Sequence, residues 1–206
     1  MPTSAGHRLT PKGRATRERI VAAAAALMFD RGVAGTSTED VRAAAGVSSS
    51  QLYHYFENKQ QLVRAVIAHQ TEAVLAAQEP LLSRLDSLPA LQAWRDLIVD
   101  LQRQRHCVGG CPIGSLASEL ADADPEARQD LAAGFARWGS AIRDGLAAMR
   151  DRGELREEAD PERLALATLT ALQGGLLMTQ TSRSTAPLEA ALDMSLDAIR
   201  VMAPQH

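Results

Sequence analysis

The segment that most constrains this 206-residue chain is 37–56, where two short helices are predicted on either side of Gly46. Ser37 can cap the first helix, and Asp40, three residues further on, can complete a capping box. Gly46 is expected to end that helix, because glycine adopts the left-handed conformation required there at low cost. Ser48 can then cap the second helix. The spacing predicts a helix-turn-helix.

The second helix of this pair carries few apolar residues. Leu52 and Phe56, four residues apart, are expected to face the core. The other side chains are small or form hydrogen bonds, and side chains of these kinds can enter a groove of DNA. They are Ser49, Ser50, Gln51, Tyr53, His54 and Tyr55.

The stretch from Thr16 to Val66 resembles the DNA-binding domain of the TetR family of bacterial transcriptional repressors. It departs from the usual pattern at Met28, where an aromatic residue is expected, at Thr38, where an aliphatic one is usual, and at Arg42, where alanine is common. Methionine can fill irregular core space, whereas the other two departures leave the operator sequence open. The residues that carry the resemblance are Arg19-Ile20, Arg31-Gly32, Thr36-Ser37, Asp40-Val41, Ala45-Gly46-Val47-Ser48, Leu52-Tyr53-His54-Tyr55-Phe56 and Lys59-Gln60-Gln61-Leu62.

The resemblance implies a surface that binds double-stranded operator DNA. Gln51, Ser49 and His54 are expected to read base edges, and Arg42 to contact a base or a phosphate. Lys59 is expected to hold a phosphate at the start of the fourth helix. The expected DNA-binding residues are Thr36, Ser37, Arg42, Ser48, Ser49, Ser50, Gln51, Tyr53, His54 and Lys59.

The distribution of charge agrees with a DNA-binding N-terminal part. The net charge is −3, but residues 1–64 hold 9 Lys and Arg against 5 Asp and Glu, and residues 65–206 hold 13 against 20. The basic side chains therefore accompany the helix-turn-helix. We expect a cytoplasmic protein, because the sequence has neither an apolar stretch of about 18 residues nor a signal-peptide core.

Composition and periodicity predict an all-α fold of about nine helices. Only 3% of residues are aromatic while 46% are hydrophobic, so the core must be mainly aliphatic, which favours helices. Asp124-Pro125-Glu126 and Asp160-Pro161-Glu162 each resemble a capped helix start. The first helix is expected over about 12–31, the fourth from Lys59 to as far as Arg84, a short sixth helix from Ser115 to Ala121, and the last from Pro187 to about Met202. With these helices, the resemblance implies a three-helix DNA-binding domain over residues 1–64 and a helical ligand-binding and dimerisation domain over residues 65–206.

The last two predicted helices are candidates for a dimer interface. The eighth is apolar on more than one face and contains Gly174 and Gly175, and the ninth carries an apolar stripe at helical spacing. An intramolecular helical hairpin would explain this pattern. The resemblance implies instead a four-helix interface with a second copy, which a palindromic operator also requires. The stripe consists of Leu188, Leu192, Leu196, Ile199 and Met202.

The central helices are expected to enclose a pocket for a small-molecule inducer, as the resemblance implies, although a filled core is the alternative. The inducer would tilt the fourth helix and so release the operator. The segment 110–119, together with Trp138 and Gln173, is also similar to a subgroup whose ligands include planar aromatics such as flavonoids. The expected lining residues are Trp94, Ile98, Leu101, Ile113, Leu116, Phe135, Trp138, Ile142, Thr170, Gln173 and Leu177.

Other functions have weaker support in the sequence. Cys107 and Cys111 could make the chain a redox-responsive repressor, but two thiols are more often buried hydrophobic residues. A helical enzyme or carrier would need a general base, for which only His106 is a candidate. The acidic residues around 119–126 do not have the spacing of a metal site, and no cofactor motif is present. We predict a ligand-responsive repressor without catalytic activity, cofactor or metal.

Overall fold

The structure is a computed structural model that describes residues 10–204. Within that range the chain forms nine α-helices and no strand, which confirms the predicted all-α class. A single 3-10 turn, Leu82–Arg84, lies between the fourth and fifth helices. The helices are α1 Pro11–Arg31, α2 Thr38–Ala45, α3 Ser49–Tyr55, α4 Lys59–Ala76, α5 Leu88–Gln104, α6 Pro112–Leu120, α7 Pro125–Asp151, α8 Pro161–Ser182 and α9 Ala186–Val201.

The chain divides into two compact units, Met1–His69 and Gln70–His206, and their boundary lies inside α4. The sequence analysis placed the boundary five residues earlier, and residues 1–9 of its first domain lie outside the described range. A helix runs through the boundary, so no proline, glycine or change of composition marks it. Each helix of residues 10–204 is too short or too polar to span a bilayer.

Local caps define the helix-turn-helix of the N-terminal unit. The backbone N–H of Asp40 donates to Ser37 Oγ at 3.1 Å, and the Ser37 N–H donates to Asp40 Oδ2 at 3.0 Å. These two bonds form the predicted capping box. Gly46 ends α2 in the left-handed conformation, with φ of 61°, as expected. Ser48 then caps α3 by accepting the N–H of Gln51 at 3.2 Å.

The core of the N-terminal unit holds this motif against α1. Leu52 and Phe56 are 2% and 3% exposed, so the predicted core pair of α3 is confirmed. The guanidinium of Arg17 lies 5.1 Å from the centre of the Phe56 ring. Arg19 Nε donates to the carbonyl oxygen of Ala45 at 2.8 Å. The last bond ties the end of α2 to the middle of α1, and it satisfies a carbonyl that the helix leaves free.

In the C-terminal unit, α8 and α9 pack closely on each other. A Cβ added to Gly175 would lie 2.9 Å from the Cα of Leu188, so this glycine permits the contact between the two helices. The stripe predicted for the dimer interface is mostly buried inside this hairpin, and for these residues that prediction is wrong. The four buried residues, at most 1% exposed, are Leu188, Leu192, Leu196 and Ile199.

Two helix boundaries differ from the prediction. Helix α4 ends at Ala76 rather than near Arg84, because Pro80 has no N–H to continue a helix. Helix α6 begins at Pro112, three residues before the predicted start, and Cys111 is its N-cap residue. The backbone N–H of Gly114 donates to Cys111 Sγ at 3.4 Å. A sulfur cap is a weak acceptor that sequence rules for N-caps do not include.

Candidate functional site

The exposed side of α3 presents a continuous polar surface. Leu52 faces the core, while the residues on the opposite side of the helix face solvent. Tyr53 is 50% exposed, so its phenol ring can reach a ligand on this side. We call the exposed set the α3 surface: Ser48, Ser49, Ser50, Gln51, Tyr53 and His54.

Two side chains of the α3 surface also hold the helix in place. Gln51 Oε1 accepts the backbone N–H of Ser48 at 2.9 Å, which completes a second capping box that the sequence analysis missed. The Ser-x-x-Gln spacing of residues 48–51 could have predicted this capping box. With one lone pair of its oxygen engaged, the Gln51 amide offers two N–H donors and one remaining lone pair. A bidentate bond from Gln51 to adenine would have to share this oxygen with the cap.

The other expected DNA-binding residues differ in accessibility. Thr36 is 1% exposed and its hydroxyl donates to the carbonyl oxygen of Gly32 at 2.8 Å. Its side chain is therefore part of the core and not of the surface, contrary to the expectation. Ser37 is exposed and Arg42 is half-buried. Both lie at or in α2, and the hydroxyl of Ser37 is already bonded in its capping box.

The start of α4 is fixed by side-chain bonds. Asn58 Oδ1 accepts the backbone N–H of Gln61 at 2.9 Å, which is an N-cap bond. Lys59 Nζ donates to the carbonyl oxygen of Val33 at 2.6 Å. An ammonium has three N–H donors, so this bond leaves two of them for a phosphate. Lys59 is also the first residue of α4, in the turn whose backbone N–H groups have no partner within the helix.

The residues that the sequence predicted for one pocket are divided between two separate cavities of the C-terminal unit and its core. The inner cavity has a volume of about 100 Å³ and lies among α4, α5, α7, α8 and the segment before α6. The outer groove, of about 840 Å³, lies among α6, α7 and α8. The inner cavity is lined by Gln70, Ala73, Val74, Ala77, Gln78, Ile98, Leu101, Gln102, Arg105, Gly110, Cys111, Pro112, Trp138 and Leu176. The outer groove is lined by Cys111, Gly114, Ser115, Ser118, Phe135, Leu166, Leu169, Thr170, Gln173, Gly174, Leu177 and Gln180.

The residues predicted to line one pocket fall into three groups. Ile98, Leu101 and Trp138 line the inner cavity. A second group lines the outer groove: Phe135, Thr170, Gln173 and Leu177. A third group lines neither and is at most 5% exposed, so for these residues the filled core is correct: Trp94, Ile113, Leu116 and Ile142. The apolar character of these side chains does not distinguish a filled core from the wall of a cavity, because both are apolar.

A buried amide that the sequence analysis missed organises the inner cavity. Gln78, 1% exposed, accepts the indole N–H of Trp94 at 2.8 Å and that of Trp138 at 3.1 Å, both on Oε1. Its Nε2 donates to the carbonyl oxygen of Val74 at 2.7 Å. A buried network of this kind is rigid while each member is satisfied. It connects two core tryptophans to the last turn of α4.

The two cysteines are buried, and Cys111 lies between the cavities and lines both. Burial raises the pKa of the Cys111 thiol above its ordinary value, and the backbone N–H groups of Gly114 and Ile113 offset this rise in part. The raised pKa disfavours the reactive thiolate at neutral pH. Arg183 Nη1 donates to the carbonyl oxygen of Cys107 at 2.9 Å, which ties the preceding loop to the end of α8.

No metal site is visible in the part of the chain that the structure describes, where no three potential ligands come together. Asp124, one of the acidic residues considered, instead caps α7. Its Oδ1 accepts the backbone N–H groups of Glu126 and Ala127, each at 3.0 Å.

An exposed polar surface on α3, next to a capped α2, is the arrangement of a helix-turn-helix DNA-binding protein. Comparisons with known proteins agree. Residues 20–66 match the family described as bacterial regulatory proteins, tetR family, and residues 87–194 match the tetracyclin repressor-like C-terminal domain. The chain belongs to the TetR family, and is a helix-turn-helix transcriptional regulator rather than an enzyme.

Individual relatives cover almost the whole chain. A TetR transcriptional regulator of Chloroflexus aurantiacus has a solved structure that is 31% identical, with a TM-score of 0.77, over 94% of this chain and 98% of that one. The HTH-type transcriptional regulator TtgR of Pseudomonas putida is 28% identical over 94% and 96% of the two chains. The HTH-type transcriptional repressor DhaR of a Mycobacterium species is 25% identical over 89% and 91%. TetR-family regulators bind operator DNA and function as dimers.

Proposed function

We propose that this regulator is a cytoplasmic repressor that leaves its operator when a small hydrophobic or aromatic inducer occupies the inner cavity. The observation that supports this most directly is the position of Gln78. This amide lines the cavity and bonds the last turn of α4, and the same helix begins at Lys59 in the N-terminal unit. A ligand beside Gln78 therefore acts on the helix that the two units share.

On the DNA side, the α3 surface enters the major groove, and Lys59 holds a backbone phosphate. Hydrogen bonds to phosphates position such a protein, while contacts to base edges give it specificity. Gln51 donates its amide N–H groups to acceptors such as guanine O6 or N7 while its oxygen remains in the cap. Ser49 and His54 are the other candidates for base contacts. Arg42, half-buried in α2, contacts either a base or a phosphate.

The dimer forms through the exposed apolar faces of α8 and α9, which we call the α8–α9 face. Large apolar side chains are rarely exposed as a group unless a partner covers them. Gly174 lies on this face, and a Cβ added there would have no atom within 4 Å in the protomer. The large apolar residues of the face are 61–70% exposed: Leu166, Leu177, Met178, Met194 and Val201. A second copy is the occupant that two-fold operator recognition requires.

A ligand in the inner cavity releases the operator by competing for polar groups that are buried there. A ligand in the inner cavity meets the Trp138 ring and the Gln78 amide, whose bonds hold the last turn of α4. If the ligand moves either group, the end of α4 shifts. The two α3 surfaces of a dimer must match half-sites about 34–36 Å apart, or a multiple, so a small shift weakens operator binding.

A redox-responsive repressor is a weaker candidate. Both thiols are buried, and the raised pKa of Cys111 keeps it protonated. We expect a Cys107→Ser, Cys111→Ser double variant to bind operator normally in reducing and oxidising buffer. Peroxide-dependent loss of DNA binding in the wild type, abolished in the double variant, would favour the redox function instead.

A gel shift with the promoter region of its own gene tests the proposed function. The wild type should retard this fragment in the presence of excess non-specific DNA, and small apolar or aromatic compounds should be screened for release. A Gln51→Ala variant should retard it less, while a Gln104→Ala variant, changed at an exposed glutamine of α5, should behave as the wild type. Suppose that a compound releases the operator and also binds equally well to a variant whose inner cavity is filled by a larger side chain. This result would contradict the assigned inducer site.

A further inference from the structure

Gln102 carries a buried hydrogen-bond acceptor that no protein group satisfies. The residue is 5% exposed and lines the inner cavity from α5. Its Oε1 is buried and accepts no hydrogen bond. Leaving a buried acceptor unmatched is unfavourable, so a group that satisfies it gains affinity that a purely apolar ligand does not.

The other polar groups of the inner cavity are either bonded within the protein or not fully buried. Gln70 is half-buried, and the Cys111 thiol accepts the backbone N–H of Gly114. Both ends of the Gln78 amide are already bonded within the protein. The indole N–H of Trp138 is bonded to that same amide. Arg105 is the one charged side chain in the lining, and it is exposed. The cavity therefore offers a buried acceptor and no buried charge, which suits a neutral ligand with a donor.

The volume of the cavity limits the size of this ligand. Drug-sized ligands occupy pockets of about 300–1,000 Å³, whereas an apolar cavity of about 150 Å³ holds benzene. The inner cavity, at about 100 Å³, lies below both values, so one ring is the largest ligand that it can hold, with part of that ring at the exposed lining residues Ala73 and Arg105. Its apolar walls include Ile98, Leu101 and Leu176, and the Trp138 ring offers a flat surface against which another ring can pack.

We infer that the inner cavity selects a neutral molecule of about one ring that carries an O–H or N–H group, and that Gln102 Oε1 accepts the hydrogen bond from that group. This inference rests on the proposed function in treating the inner cavity as the ligand site. It adds the chemical class of the ligand and the residue that selects it. Phenol and toluene are suitable probes, because they have the same shape and differ in having O–H or CH₃.

The experiment is a titration of the full-length protein with each probe. The chain has two tryptophans, and both indole N–H groups bond Gln78, so ¹⁵N-labelled tryptophan gives two indole signals, one of which belongs to a cavity residue. Phenol should shift the Trp138 signal. Replacement of Gln102 by Met, which has a similar length and no amide, should lower the affinity for phenol relative to toluene about tenfold.

A Gln104→Met variant is the matched control, since Gln104 is an exposed glutamine of the same helix. It should leave the phenol-to-toluene ratio at the wild-type value. An unchanged ratio in Gln102→Met, or a Trp138 signal that phenol does not move, would overturn the inference. If Gln102→Met does not fold, wild-type protein that binds toluene more than tenfold tighter than phenol would overturn it as well.

The titration contains no DNA, so failure of the inference and failure of the proposed function can be distinguished. Selective phenol binding without any effect of small molecules on operator binding would retain the role of Gln102 and reject induction. Release of the operator by ligands that lack a donor, from wild type and Gln102→Met alike, would retain induction and reject the role of Gln102.

Discussion

The hydrogen bonds at the α3 surface and at the inner cavity differ in how far apart the bonded residues lie in the sequence. Each capping bond of the helix-turn-helix joins residues three positions apart, as in Ser37 with Asp40 and Ser48 with Gln51. The Gln78 network joins residues 16 and 60 positions apart. Changes in the first region should therefore act locally, on one helix end or one DNA contact. Changes in the second should destabilise the whole C-terminal unit.

The largest effect is expected at Trp138, which is 2% exposed and bonded to Gln78. Trp138→Ala leaves a cavity and an altered amide network, and should lower the free energy of unfolding by about 3–5 kcal/mol. Tyr53→Ala, at an exposed aromatic residue of α3, should change it by less than about 0.5 kcal/mol. Urea unfolding followed by circular dichroism measures both. Similar losses in the free energy of unfolding of the two variants would contradict the expected difference between the inner cavity and the α3 surface.

This expectation alters what the sequence suggested for Trp138. A residue that only lines a ligand pocket could be replaced by alanine with reduced induction and unchanged DNA binding. Because the indole is a core element, Trp138→Phe is the informative change: it removes the N–H and keeps most of the ring volume. Operator binding should persist in this variant, and a response to ligand should weaken.

The next largest effect concerns the neighbouring glycines of α8. Gly175→Ala would place a Cβ 2.9 Å from the Cα of Leu188, and the resulting overpacking should destabilise the protomer by about 1–3 kcal/mol. Gly174→Ala meets no atom within 4 Å in the protomer, so it should not destabilise the fold. It should instead weaken self-association, measurable by sedimentation, if the α8–α9 face is the dimer interface. Equal loss of stability in both variants would contradict this assignment.

Much of the helix-turn-helix could be predicted because its determinants are local. Ser37, Gly46 and Ser48 each specify a helix end through residue chemistry alone, and the structure confirms all three. The inner cavity could not be predicted in the same way. Gln78 follows α4 in a segment expected to be helical, and nothing in its neighbours signals that Trp94 and Trp138 converge on it. The α9 stripe was misassigned for a similar reason, since an apolar stripe is the same whether its partner is α8 or a second copy.

A smaller effect is expected for Lys59. Lys59→Ala removes a cation at the start of α4 and should weaken specific and non-specific DNA binding alike, by roughly 1 kcal/mol, lowering the salt slope by about one unit. Fluorescence anisotropy at several salt concentrations gives both values. Arg128→Ala, which removes an exposed cation of α7, should leave the slope unchanged. A changed sequence preference in Lys59→Ala would show that the lysine contacts a base.

The smallest expected effect is the pH dependence at Asp40. Hydrogen bonds from the Ser37 side chain and backbone lower the pKa of the Asp40 carboxyl below its ordinary value. The folded state therefore binds this proton less readily than the unfolded state. The stabilisation is complete above about pH 5 and is lost as the pH falls through the folded pKa. Asp40→Asn should flatten the acid limb of stability against pH, whereas Glu39→Gln, in the same turn, should leave it as in the wild type.

Selection from a random double-stranded DNA library tests most directly whether this chain reads DNA through the α3 surface of a two-fold dimer. Full-length wild type should enrich an inverted repeat whose half-sites are about 34–36 Å apart, or a multiple of that distance. Gln51→Ala should lose preference at one position of each half-site, and Gln104→Ala should enrich the wild-type sequence. Enrichment of a single asymmetric site, or an identical consensus from Gln51→Ala, would contradict recognition by paired α3 helices.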